Sequence, residues 1–146
     1  MTSLIDNNID GLVKRAKKRT AVSDMVFMSA YPPRESPNPL NKYTVAVNPV
    51  SVKKSQIFVG DAVVKGQRGN LYEATVILRI YAPRNTAATA LLRKSSLLFD
   101  ALEASDVDGA IADISLGKVD YDNVTRTVYR DLRMTLCWLL CGEGER

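Results

Sequence analysis

The sequence predicts an α+β fold: a two-layer domain whose mainly antiparallel β-sheet carries two amphipathic helices packed on one face. Three observations lead there. Apolar residues recur at helical spacing near the start of the chain and again after Pro83. Between and after these segments, apolar and polar residues alternate with the period of half-buried strands. The helices do not alternate one by one with strands, which argues against a parallel doubly wound sheet. With 146 residues, 46% hydrophobic and 25% charged, the composition is that of an ordinary globular protein, and one domain spanning 1–146 is expected.

The first helix is expected from the spacing of Leu4, Ile5, Ile9, Leu12, Val13 and Ala16, with Ser3 as a cap and Asp6 near the positive end of the dipole. Lys14, Arg15, Lys17, Lys18 and Arg19 fall in its last turns, where cations suit the carbonyl end. Gly11 weakens the helix by about 1 kcal/mol relative to Ala, so packing must hold it. A short apolar stretch, Met25 to Met28, leads into AYPPRESPNPLNKY, which holds four of the six prolines. Proline lacks a donor and biases the preceding residue toward extended backbone, so residues 31–41 are expected to form a stiff arm. It lies either on a neighbour or on its own domain.

Tyr43, Val45 and Val47 alternate with Thr44 and Ala46, and this strand is expected to end near Pro49. Residues 57–81 read as a hairpin. Gly66, Gly69 and Asn70 supply its turn, and Tyr72, Ala74, Val76, Leu78 and Ile80 share one face of the second strand. The second helix is expected to be capped by Asn85 and to bury Ala88, Leu91, Leu92, Ser95, Leu98, Phe99 and Leu102. Ser105 to Gly109 ends it. A closing hairpin places Ala112, Ile114 and Leu116 on one face and turns at DYDN. Its last strand has Val128, Leu132, Met134, Leu136, Trp138 and Leu140 inward, with Arg130 interrupting that row at a bulge or beyond the core.

Chemistry is scarce. The chain has no histidine, which removes imidazole acid–base catalysis, Ser–His and Cys–His nucleophiles, and most zinc sites. Cys137 and Cys141 lie four apart in one expected strand, ~13 Å along it, and so are expected as thiols rather than a bridge. There is neither a P-loop nor a dinucleotide fingerprint. Asp106, Asp108 and Asp113 lack the glycine and terminal glutamate of a calcium loop. No catalytic residue, cofactor or metal site is expected. No apolar run approaches the ~20 residues of a membrane span, and the chain opens with apolar residues before charged ones, the reverse of a secretory signal. It is expected to work in the cytosol. The net charge of +4 permits an anionic partner without requiring one. The basic run 14–19 is a solvated helix end, a docking patch for an acidic neighbour, or a phosphate-binding cluster.

The stretch EATVILRIYAPRNTAATALLRKSSLLFDAL, a strand turning into an amphipathic helix, and the closing strand RTVYRDLRMTLCWLL resemble the tail terminator family of long-tailed bacteriophages and phage-like particles. The resemblance implies a non-enzymatic structural protein. Such proteins form a ring, typically of about six subunits, that caps the tail tube, ends its polymerisation and joins tail to head or collar. It implies a virion tail location after assembly in the bacterial host cytoplasm. Partners would be copies of itself, the tail tube protein and a head–tail connector or collar protein, with DNA passing through the lumen and no membrane. On that expectation the closing strand and the proline arm, with Pro32, Pro33 and Arg34, are subunit patches. Lys65, Gln67 and Arg68 on one hairpin, and Asp120, Tyr121 and Asp122 on the other, are contacts with the tube or the connector. Lys14, Arg15, Lys17, Lys18 and Arg19 are a further docking patch, and Arg79 and Arg133 face the lumen. The rival expectations are another neck or head-completion connector subunit and, from a different class, a small basic nucleic-acid-binding domain.

Overall fold

A computed structural model describes residues 4–28, 42–58, 68–106 and 109–141. In chain order these form α1 (Leu4–Lys17), a 3-10 turn (Thr20–Val22), β1 (Val26–Met28), β2 (Thr44–Phe58), β3 (Arg68–Tyr81), α2 (Ala88–Ser105), β4 (Ile111–Asp122) and β5 (Thr127–Cys141). The strands make one sheet in the order β1-β2-β3-β5-β4. All pairings are antiparallel except β1 with β2. This is the expected α+β architecture.

Both helices supply the same core. Ile9, Leu12, Val13 and Ala16 of α1 join Leu91, Leu98, Ala101 and Leu102 of α2 against Val45, Val76, Leu78, Ile80, Leu132, Met134 and Leu136 of the sheet. The sheet residues in this set are the every-second positions of β2, β3 and β5, so one face is buried under helices. Among the described residues no buried side-chain nitrogen or oxygen lacks a hydrogen bond.

Several local expectations need correction. β2 does not stop near Pro49 but runs on to Phe58, with a register shift between Pro49 and Ser51. A proline is tolerated there because β1 pairs with β2 only up to Ala46, so Pro49 lies where a missing donor need not break a second ladder. The hairpin expected over 57–81 is therefore larger, with β2 pairing β3 from Thr44–Tyr81 to Phe58–Arg68. Asn85 does not cap α2. It takes a left-handed φ of 62° in the turn after Pro83, a conformation asparagine tolerates, and Ala87 is the capping position without a side-chain bond. Along α2, Ala88 and Leu92 are exposed, while Ala101 and Ser105 complete the buried stripe.

β4 also departs from simple alternation. Its inward residues are Ile111, Ile114, Leu116 and Val119, and Ala112 is exposed. Irregularities between Ile111 and Asp113 and between Leu116 and Val119 add residues that flip the side-chain phase. The second of these explains the interrupted inner row: Arg130 faces Val119, and its guanidinium donates to Gly117 O at 2.6 Å and to Ser95 Oγ at 3.0 Å. The closing turn lies at residues 123–126, after Asp122 and not at Asp120–Asn123. Cys137 and Cys141 share β5 as expected, and Cys137 is a free thiol.

Candidate assembly surfaces

The strand order decides which backbone is available to a partner. β5, expected as a subunit patch, lies between β3 and β4 and is hydrogen-bonded on both sides. Among the described residues the edges are instead β4 along one side and, on the other, β2 past the three residues that β1 covers. Both are exposed. From Pro49 to Lys54 every β2 residue is exposed, Val50 at 45% and Val52 at 54%. On β4, Ala112, Asp113, Ser115, Gly117, Lys118, Asp120 and Tyr121 are exposed. The edges differ in sign. Residues 49–54 carry Lys53 and Lys54 and no carboxylate, whereas β4 carries Asp113, Asp120 and Asp122 against the single Lys118. Asp120, Tyr121 and Asp122 are among the expected contacts, but Val50, Val52, Lys53, Lys54 and Asp113 are not, because position in the strand order cannot be read from one sequence. The dense polar residues of β4 (Asp113, Ser115, Lys118, Asp120, Asp122) were the available signal of an edge.

The basic run divides into two roles. Arg15 Nε donates to Ser105 O at 3.0 Å, Arg19 Nε to Ser105 Oγ at 3.0 Å, and Arg19 Nη2 to Ala104 O at 3.0 Å. The last turn of α2 has no basic residue of its own. Two arginines one helical turn apart on and just beyond α1 thus satisfy the carbonyl end of α2 and balance its dipole. Lys14, Lys17 and Lys18 stay exposed, Lys17 with its ammonium 5.8 Å from the Phe27 ring centre. The run therefore presents three lysines outward rather than five equivalent cations.

The sheet face that carries no helix among the described residues holds both arginines expected at a lumen. Arg79 and Asp131 are directly opposite across β3 and β5 and form a forked pair, Nε–Oδ1 at 2.8 Å and Nη2–Oδ2 at 3.1 Å. The same guanidinium stacks 4.3 Å over the Tyr129 ring, so its charge is committed locally. Arg133 is exposed. By register, Lys53, Arg79 and Arg133 share this face with Glu73, Asp113 and Asp131, and Asp120 lies at its far end. The face is not basic overall.

At the closing turn, Asp122 accepts from Val124 N at 3.0 Å and Thr125 Oγ1 at 2.9 Å, and Asp120 from Tyr121 N at 2.8 Å. These carboxylates shape the turn, and Tyr121 is left 53% exposed beside Val124 at 46%. Asp106 likewise binds Ala110 N and Ile111 N, each at 2.9 Å, around Gly109 with its φ of 67°. Pro32, Pro33, Arg34, Lys65 and Gln67 lie outside the described residues. Arg68 is described only as the first backbone position of β3.

An open groove of about 540 Å³ is lined by Tyr43, Thr89, Ala90, Arg93, Lys94 and Leu97. Its Lys94 is held at 2.9 Å by Asp24 and also donates to Ala21 O, which ties α2 to the turn after α1. The Lys94 hydrogen bond holds the Asp24 carboxyl below the usual carboxylate range. Burial, then the Asp24 charge, pushes the Tyr43 hydroxyl up. Burial and the neighbouring Glu73 carboxylate push the Cys137 thiol up, away from a reactive thiolate. Among the described residues no three His, Cys, Asp or Glu side chains are grouped to hold a metal ion, and no helix is long and apolar enough to cross a membrane. Compared with known proteins, the chain matches no family model and no curated protein.

Proposed function

We propose that this protein is a non-catalytic assembly subunit that forms a ring, of about six copies by its resemblance to tail terminators, capping a tail tube and joining it to a head or collar. The observation that carries this reading is a sheet that, among the described residues, is open along both sides. One subunit offers two different edges, and a contact between unlike patches of identical subunits closes into a ring when the rotation fits.

The ends of the sheet support it further. The β2–β3 hairpin closes one end, and the β4–β5 turn with exposed Tyr121 and Val124 closes the other. A cap needs such distinct faces, one for the tube and one for the connector. The polar inventory is spent on structure, through the Arg79–Asp131 fork, the Arg15 and Arg19 caps and the Lys94–Asp24 bridge. The nucleic-acid reading is weaker, because two of the five cations in the basic run bind α2 carbonyls and the helix-free face is not basic.

Light scattering of the purified chain over a range of concentrations, alone and with tail tubes, tests the proposal. The expected result is a closed oligomer near six subunits, formed alone or on the tubes, together with arrest of tube growth. A strict monomer that ignores tubes but binds DNA, with affinity falling steeply with salt, would sink it.

A further inference from the structure

We propose that copies of this chain join by strand addition, β4 of one copy pairing antiparallel with β2 of the next over Pro49 to Val52, so that Asp113 meets Lys53 and Ile111 meets Val52. This rests on the ring reading above and names the joint.

The direction follows from the sheet. β2 and β3 are antiparallel, as are β3 and β5, and β5 and β4, so β4 runs opposite to β2. Laying a second sheet beside the first with the same face forward therefore sets β4 antiparallel to the new β2, the better-bonded arrangement. The right-handed twist between neighbouring strands then accumulates around the assembly, as it does in a barrel.

The register follows from rows across the sheet. One row runs Ser51–Thr75–Thr135–Asp113, another Val52–Ala74–Leu136–Ile111, and a third Pro49–Val76–Met134–Ile114. Continued level into the next copy, Asp113 abuts Ser51, with Lys53 two residues along on the same face and within diagonal reach. Ile111 abuts Val52 and Ile114 abuts Pro49, so apolar meets apolar on the helix side, and Pro49, which has no N–H to donate, ends the ladder there. The level match also accounts for the bulge in β4. The Leu116–Val119 irregularity sits level with the interval between Val47 and Val45, where β1 begins to cover β2. The edge bends away where a straight strand would strike β1 of the neighbour.

Charge selects this pairing over the alternatives. A two-fold β2–β2 contact centred between Lys53 and Lys54 would set each lysine opposite the other, and a β4–β4 contact centred between Leu116 and Gly117 would set Asp113 opposite Asp120. Like charges directly opposite destabilise strand pairs. Both two-fold pairings are penalised, and the head-to-tail contact, which closes rings, is favoured.

The test uses the full chain in two ways. Lys53→Glu, and separately Asp113→Lys, are each expected to weaken self-association at low salt by about tenfold or more. Mixing the two variants should restore it across the rescued joint, and circular dichroism confirms folding of each. In a Cys137→Ser, Cys141→Ser background, Val52→Cys with Ile111→Cys should give a covalent ladder on oxidation. Within one chain these positions are three strand spacings apart, roughly 14 Å, beyond the ~7 Å a disulfide spans, so every cross-link is between copies. Oligomers that form without the ladder and ignore both charge reversals overturn this joint and leave the ring reading standing. A wild-type chain that stays monomeric even on tail tubes overturns both.

Discussion

Replacing Arg15 and Arg19 by alanine should destabilise the protein although both lie in a run that looks like a solvated helix end. The structure supplies the magnitude. Three guanidinium bonds end on Ala104 O, Ser105 O and Ser105 Oγ, at the end of a helix with no basic residue in its own last turn. A hydrogen bond to a charged group contributes about 1.5–3 kcal/mol when shielded from water. Arg19 is exposed and Arg15 only half-buried, so about 1 kcal/mol for each is the reasonable discount. The dipole interaction adds about 0.3–1 kcal/mol in total. The double variant should therefore lose about 2–3 kcal/mol. For a chain of this size that lowers Tm by about 5–10 °C, and it moves the urea midpoint by about 1 M if the slope is unchanged. Arg15→Lys with Arg19→Lys should recover the dipole part but not the fork geometry. The control is Lys14→Ala with Lys18→Ala, which touches no carbonyl of α2 and should stay within about 0.5 kcal/mol. If the two pairs of substitutions cost the same, the capping argument fails.

Two further outcomes are expected. Leu98→Ala, at a fully buried position of α2, should cost about 2–5 kcal/mol, whereas Leu92→Ala, 42% exposed on the same helix, should cost under about 1 kcal/mol; equal losses in urea titrations would contradict the observed face of α2. The Asp24 carboxyl is depressed by its bond to Lys94, so its contribution is complete above the ordinary carboxylate value near ~4 and is lost as pH falls through the depressed folded value. The stability gap between wild type and Asp24→Asn, followed by thermal melts, should therefore be present at neutral pH and vanish in strong acid; a gap that persists there would refute the assignment.

How far the sequence could be read depends on whether the deciding contact is local. α2 and the strands β3 and β5 announce themselves because each buries one face over many residues, so period alone is diagnostic. The same argument misplaced Leu92, because the stripe on α2 is narrower than the apolar residues available. Pro49 reads as a strand end only if both sides of the strand are paired. It lies inside β2 because one side has no strand neighbour past Ala46 among the described residues. Ala112 was placed inward by strict alternation, which a bulge of one residue defeats. The sites were less legible than the fold. That Arg15 and Arg19 reach residues some ninety positions later, or that Arg79 is matched by Asp131, depends on tertiary neighbours that no window of the sequence contains. Strand order is the largest gap. The long apolar β5 looks like the natural partner surface and is in fact bonded on both sides.

The helix layer and the edges are mechanically one device. Arg15 and Arg19 fix α1 to the end of α2, and Lys94 fixes α2 to the turn after α1. Arg130 then spans from Ser95, buried in α2, to Gly117 O in the bulge of β4. A peptide oxygen in a bulge is turned out of the ladder and would otherwise be satisfied only by water. Holding it from the helix side fixes where β4 bends. An isolated edge strand with that irregularity would sample several registers, and a subunit joint built on it would be degenerate. Anchored through Arg130 to a helix that is itself held at its last turn and at Lys94, the edge keeps one shape, which head-to-tail contact between identical copies requires if every joint in a closed ring is to be the same.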